Sequence, residues 1–282
     1  MRFTTSAILA ILSALGSAVT PPSIDGYSIV WKEEFWGGAG DSVSSSNWDA
    51  VLGINTNNDI QTYTDSNSNV QISGGGTLQL VPQKSDAGIW TSARLESTGS
   101  WTPAAGKTTR AQGNIRFGSN SQSTKQGMWP AFWMLGDSIR SGTGWPMCGE
   151  LDLMETVNGL PTAYGTAHCG TYPGGVCNEP TGKGNAVALN DYDWHTWSME
   201  WDRTSNNWSS ETITWYLDGN QFHQITGSGV GDEAIWGTLA HSPMYFILNI
   251  AIGGDWPGNP NDATVGGYGA MMEVAYVAVY QK

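Results

Sequence analysis

Charge is scarce in this sequence. Only 13% of its 282 residues are Asp, Glu, Lys or Arg, and positive charge is the rarer kind: 12 Lys+Arg face 25 Asp+Glu, a formal net charge of −13. That balance excludes the basic footprint that nucleic-acid binding requires. It also argues against docking on an anionic membrane surface. Cysteine is scarcer still, with three residues and no CxxC pair or His/Cys cluster, so zinc-ligand spacing is missing. No stretch of 18 consecutive apolar residues occurs, which leaves no membrane-spanning helix to read from the sequence. The strong helix formers Lys, Glu, Arg and Leu are under-used, which argues against a helical bundle. What is present is 39% hydrophobic residues, enough to fill a core and to exclude disorder. Gly is abundant, with 37 residues against a usual share of about 7%. Trp, at 15 residues, outnumbers both Tyr (10) and Phe (6). The composition is that of an acidic, β-rich globular protein with an excess of indole.

The N-terminus reads MRFTTSAILAILSALGSAVTPP. Arg2 is a basic start, Ala7 to Leu15 is a short apolar run, and Gly16 and Ala18 are small residues three and one positions before a cleavage point. This layout predicts a secretory signal peptide over residues 1–18, with a mature, soluble, extracellular protein over 19–282. The run is too short to cross a bilayer of about 30 Å. In an oxidising compartment, Cys169 and Cys177 can close a small loop across the turn-forming segment GTYPGGV, leaving Cys148 free as a small buried hydrophobe. Asn207-Trp208-Ser209 is an N-glycosylation sequon.

No linker or internal repeat divides residues 19–282, so one domain is expected there. Period-two alternation of β-branched and aromatic residues predicts strands over 77–81, 111–117, 163–168, 195–201, 212–217, 245–252 and 274–280. In HTWSMEW, His195, Trp197, Met199 and Trp201 share one face. Asp218-Gly219 between two strand-like runs signals a hairpin. Asp232 to Ala240 is the best helical segment. The fold class is all-β, a two-sheet antiparallel sandwich.

Chemistry concentrates in Trp145-Pro-Met-Cys-Gly-Glu150-Leu-Asp152-Leu-Met-Glu155. A regular strand puts Glu150 and Asp152 on one face and Glu155, five positions from Glu150, on the other. A β-bulge near Leu153-Met154 would return Glu155 to the first face. A solvated acidic face is the usual fate of such residues. It fits poorly here, where the neighbours are apolar and no base intervenes. Like charges this close raise at least one carboxyl pKa, and clustered perturbed acids mark functional sites. One ionised and one protonated carboxyl is what glycoside hydrolysis needs. Indole faces that stack on sugar rings would then account for part of the Trp excess. Spacing alone does not decide which Glu takes which role.

GELDLMETVNG resembles the Glu-x-Asp-x-x-Glu signature of family 16 glycoside hydrolases, in the laminarinase-like form with one extra residue before the last Glu. WKEEF (31–35), TSARLES (91–97), MWPAFWML (128–135), GWPMCGE (144–150), YGTAHCG (164–170), WHTWSMEW (194–201) and NIAIGGDWPG (249–258) follow in the family's order and cover nearly all of the expected mature chain. HCGTYPGGVCNEPTG is similar to secreted fungal endo-1,3(4)-β-glucanases of that family. The resemblance implies a concanavalin-like β-jelly roll with a concave cleft. It also implies retention of anomeric configuration by double displacement, with Glu150 as nucleophile, Glu155 as general acid/base and Asp152 between them tuning their protonation. It further implies that Trp133 and Trp145 line the glycone side, that His168 stands near the centre, that Arg94 and Asn57 bind sugar hydroxyls, and that Trp256 flanks the leaving-group side. Trp129, Trp197, Trp201 and Trp215 are expected in the core instead, the commoner fate of strand aromatics. Many relatives end in a strand whose Asp binds calcium. Ala275 stands at that position here, so no metal and no cofactor are expected.

The expected activity is endo-hydrolysis of 1,3- or mixed 1,3;1,4-linked β-glucan by a secreted monomer. The polysaccharide is its only expected partner, with no nucleic acid and no membrane. A β-galactanase or a cell-wall transglycosylase on the same fold is the second reading. A non-catalytic lectin is the third, disfavoured because binding alone does not call for three acids on one strand. No GxSxG context supports a serine protease.

Overall fold

The computed structural model describes residues 19–282, so the expected signal peptide lies outside the described residues. Two antiparallel sheets face each other. One has seven strands, in the order Lys183–Ala188, Thr162–His168, Glu150–Glu155, Met128–Gly136, Met244–Ile252, Arg94–Ser97 and Trp48–Ala50. The other runs Asn220–Thr226, Thr212–Leu217, His195–Asp202, Thr108–Phe117, Met272–Gln281, Leu78–Leu80 and Val70–Ile72, with Ser28–Glu33 pairing the Met272–Gln281 strand as an eighth member. All seven predicted strands are present, and the helix spans Glu233–Ala240 with Asp232 as its N-cap, its side chain accepting from Ile235 N. No helix among the described residues is long and apolar enough to cross a membrane.

The sandwich follows from the alternation. Phe132, Met134, Leu151, Leu153, Phe246, Leu248 and Ile250 of the first sheet bury against Trp197, Met199, Trp201, Ile213, Trp215, Val277 and Val279 of the second in one core cluster. Trp197, Trp201 and Trp215 are core residues, as expected. His195 keeps that face as well, opposite the core residue Ile115 at the start of its strand, where its ring pairs with Asp218 at 2.7 Å. A Cβ on Gly165 would come within 2.5 Å of the Trp215 ring, so glycine there makes room for an indole that spans the core. In the last strand the register shifts between Val274 and Tyr276, which turns Ala275, Tyr276, Ala278 and Tyr280 to the outer face. There Ile24 and Tyr27 cover them.

Candidate active site

The strand Glu150–Glu155 carries the bulge that its composition requires. Trp133 pairs with Asp152 and Phe132 with Met154, so Leu153 is the extra residue on this strand. On the other edge Asp152 pairs with Thr166 and Glu155 with Tyr164. Leu153 and Met154 both enter the core at 0% exposure, and Glu150, Asp152 and Glu155 emerge together on the opposite face. The physical reason is hydrophobic: without the extra residue, Met154 or Glu155 would occupy the wrong side of the sheet.

These carboxyls sit at the centre of a cleft that crosses the sheet. One lobe, a cavity of about 310 Å³, lies over the strands Met128–Gly136, Met244–Ile252 and Arg94–Ser97 and is lined by Asn57, Tyr63, Arg94, Trp133 and Asn249. The other, about 850 Å³, lies over Thr162–His168 and Lys183–Ala188 and is lined by Tyr164, His168, Tyr172, Asn185 and Trp256. Asn57, Trp129, Trp145, Glu150 and Glu155 border both lobes. Every residue expected at the site from the sequence is therefore brought to this one cleft.

Each aromatic is held by a polar handle or a neighbouring ring. Trp133 Nε1 donates to Asn249 Oδ1 at 2.7 Å, Asn249 donates to the Tyr63 hydroxyl at 3.2 Å, and the Arg94 guanidinium lies 5.0 Å from the Trp133 ring. Arg94 is nearly buried and is itself held by Glu96 at 2.7 Å. Trp145 leans on His168 and Tyr172, with ring centroids 5.7 and 5.9 Å apart, and stays 39% exposed to the cleft. Trp256 stands edge-on between Trp129 and Tyr164. Asn57 adopts a left-handed backbone (φ 54°), which points its carbonyl at Asp255 N, 2.9 Å away.

Trp129 corrects one expectation. It is not a core residue: its Nε1 donates to Glu155 Oε1 at 2.8 Å, and its ring lines both lobes. The signal was present in MWPAFWML, where Trp129 and Trp133 are four positions apart and share a strand face. Tyr63, Asn249, Tyr164, Tyr172 and Glu179 were not singled out from the sequence. They arrive from other strands and loops, and only tertiary folding brings them here.

Burial pushes all three acids upward, and their neighbours differ. Burial raises the Glu150 carboxyl, and the His168 and Arg94 cations pull it back in part. Asp152 lies well above the usual carboxylate range, through burial and then the charges of Glu155 and Glu150. Its Oδ2 is buried with no hydrogen-bond partner among the described residues. Burial lifts Glu155 to about 7, although the Trp129 indole favours its charged form. Burial would depress the His168 imidazole, but the hydrogen bond to Glu179 and the charges of Glu150, Glu179 and Glu155 outweigh it and raise its pKa. Nε2 of His168 lies 3.6 Å from Asp152 and 3.9 Å from Glu150. Glu150, Asp152 and His168 thus bring three potential ligand atoms within 4.8 Å of one another.

Cys169 and Cys177 are bonded, and Cys148 is free and buried.

Comparison with known proteins agrees with this geometry. The profile of Glycosyl hydrolases family 16 matches residues 56–276. The chain is 30% identical to a β-glucanase of Rhodothermus marinus over 90% of its own length and 85% of the relative's. It is 30% identical to the clotting factor G alpha subunit of Tachypleus tridentatus over 90% of its length, but spans only 34% of that protein. The crystal structure of an endo-1,3-β-glucanase from Streptomyces sioyaensis superposes with a TM-score of 0.87 at 36% identity, covering 93% of this chain and 99% of that one.

Proposed function

The chain belongs to Glycosyl hydrolases family 16, and from that membership and the cleft we propose that it is a secreted, endo-acting, retaining β-glucanase. Its substrate is 1,3- or mixed 1,3;1,4-linked β-glucan. The observation that carries this reading is the bulged strand that sets Glu150 and Glu155 on one face at the centre of the cleft, each with its own surroundings. Glu155 is held up to about 7 and so is protonated in mildly acidic solution, while Glu150 faces the cations His168 and Arg94.

In the first displacement the Glu150 carboxylate attacks the anomeric carbon. The glycosidic carbon–oxygen bond breaks, and the Glu155 proton passes to the leaving oxygen. A glycosyl ester on Glu150 results. In the second step Glu155, now ionised, takes a proton from water, and the resulting hydroxide displaces Glu150 with net retention. Asp152, buried between them and inclined to hold a proton, adds no second negative charge beside the one carboxylate that is ionised at each stage. Lobes on both sides of the carboxyls support attack within a chain instead of at its end. Indole faces of Trp133, Trp145 and Trp256 supply stacking surfaces, and Arg94 and Asn57 supply polar contacts for hydroxyls. The proposal includes cleavage after Ala18, export, and action as a monomeric single domain over residues 19–282. The names of the Rhodothermus marinus and Streptomyces sioyaensis relatives support the substrate class.

Digestion of laminarin, lichenan and galactan, with oligosaccharide products identified, tests this reading. Internal cleavage of at least one glucan with the β-anomer formed first is expected. Products from galactan alone, or binding without turnover, would replace it with the galactanase or lectin reading.

A further inference from the structure

Glu179 has no part in the mechanism above, yet its side chain is fully buried against the catalytic cluster. Burying a fourth carboxylate beside three others is costly unless its charge is used. Its two oxygens are both engaged. Oε2 lies 2.7 Å from His168 Nδ1, and Oε1 accepts from Cys169 N at 2.7 Å. A carboxylate can only accept, so Nδ1 carries the proton, and the ring is locked with Nε2 turned to Asp152 and Glu150. The backbone delivers Glu179 to this place. Gly174 and Glu179 exchange two main-chain hydrogen bonds of 2.7 Å, and the Cys169–Cys177 disulfide closes the same loop just outside the strand that ends in His168.

Resting on the glucanase reading, we propose that Glu179 is a positioning residue: from behind the cleft wall it fixes the orientation of His168 and supports its charge, and so holds that imidazole against Glu150 and Asp152. The groups facing His168 are Glu150, Asp152 and Glu155 from the neighbouring strand and Glu179 from the loop. Arg94 acts on Glu150 from the far side of the cleft. Glu179 is the only one of the four acids that bonds the ring directly while standing outside the cleft lining. The disulfide loop, and not the catalytic strand, therefore holds the cation of the site in place.

The test is Glu179→Gln, read by imidazole C–H NMR titration of His168 and by the pH profile of glucan hydrolysis. His168→Gln identifies the resonance. The His168 titration should fall by about one pH unit or more as the charged partner is lost. The acid limb of kcat/KM should move to higher pH, because the His168 cation lowers Glu150 by more than the Glu179 charge raises it, and kcat should drop about tenfold or more. In a His168→Gln background the same Glu179→Gln change should add little, since Glu179 acts through the imidazole. Where Glu179→Gln does not fold, Glu179→Asp withdraws the charge by one methylene and should move the titration part of the way. An unmoved His168 titration, or an equal loss of activity in the His168→Gln background, overturns the proposal. The titration needs no turnover, so it decides the matter even for a chain that cleaves no β-glucan, an outcome that would refute only the functional reading.

Discussion

Trp215, on the second sheet, donates its indole Nε1 to the main-chain oxygen of Asp152 at 2.7 Å, across the core and at the start of the catalytic bulge. The bond ties the sheet that does no chemistry to the backbone that aims three carboxyls. Trp215→Phe removes it and leaves a buried carbonyl short of a partner, at a cost of about 2 kcal/mol. The melting temperature should fall by roughly 4–8 °C. Because the bulge loses its anchor, kcat should fall more than KM rises. A variant with normal stability and normal kcat would show that the bond is incidental.

Trp129 holds Glu155 by a hydrogen bond that favours the ionised acid. Removing it should raise the Glu155 pKa above about 7, so the proposed general acid stays protonated to higher pH. The basic limb of kcat/KM in Trp129→Phe should therefore move upward by up to about one unit. A downward shift would contradict this assignment of the indole.

Glu150→Gln keeps the shape of the proposed nucleophile and removes its charge. Turnover of glucan should fall by a factor of roughly 10³ or more, while laminarin retention in affinity electrophoresis stays near that of the parent. Retained hydrolysis would sink the assignment of Glu150.

The Cys169–Cys177 bridge closes a short loop with a sequence separation of 8. On the chain-entropy account such a loop contributes about 2.5 kcal/mol. The double variant Cys169→Ala, Cys177→Ala should melt roughly 5–10 °C lower, as followed by circular dichroism. An unchanged midpoint would mean that the loop is already held by the paired bonds of Gly174 and Glu179.

Ala275 is buried under the N-terminal segment, where it offers no carboxylate. A hard cation needs several oxygen ligands. Adding EDTA should leave the melting temperature unchanged to within about 1 °C by differential scanning calorimetry, against a drop of several degrees for a calcium-stabilised fold.

Much of this was legible in the residues alone, for a physical reason. Alternation is a local property, so the strands and the core side of Leu151, Trp197 and Trp201 could be read from period two. The bulge was legible too, because Glu150, Asp152 and Glu155 cannot share a face while Leu153 and Met154 share the core unless one residue is extra. Residue type alone puts Trp129 in the core, whereas its parity with Trp133 points to the cleft, where it stands. The tertiary structure decided what depends on distance between remote segments. Glu179 lies 29 positions after Glu150 and becomes its neighbour's partner only when a loop folds back on the end of a strand. Asn249 and Tyr63 meet Trp133 from different strands, and Trp215 reaches Asp152 from another sheet. The pKa values belong to this second class. Spacing announced that the acids would perturb one another, but burial, the leading cause in each of the three carboxyls, exists only once the sandwich has closed around them.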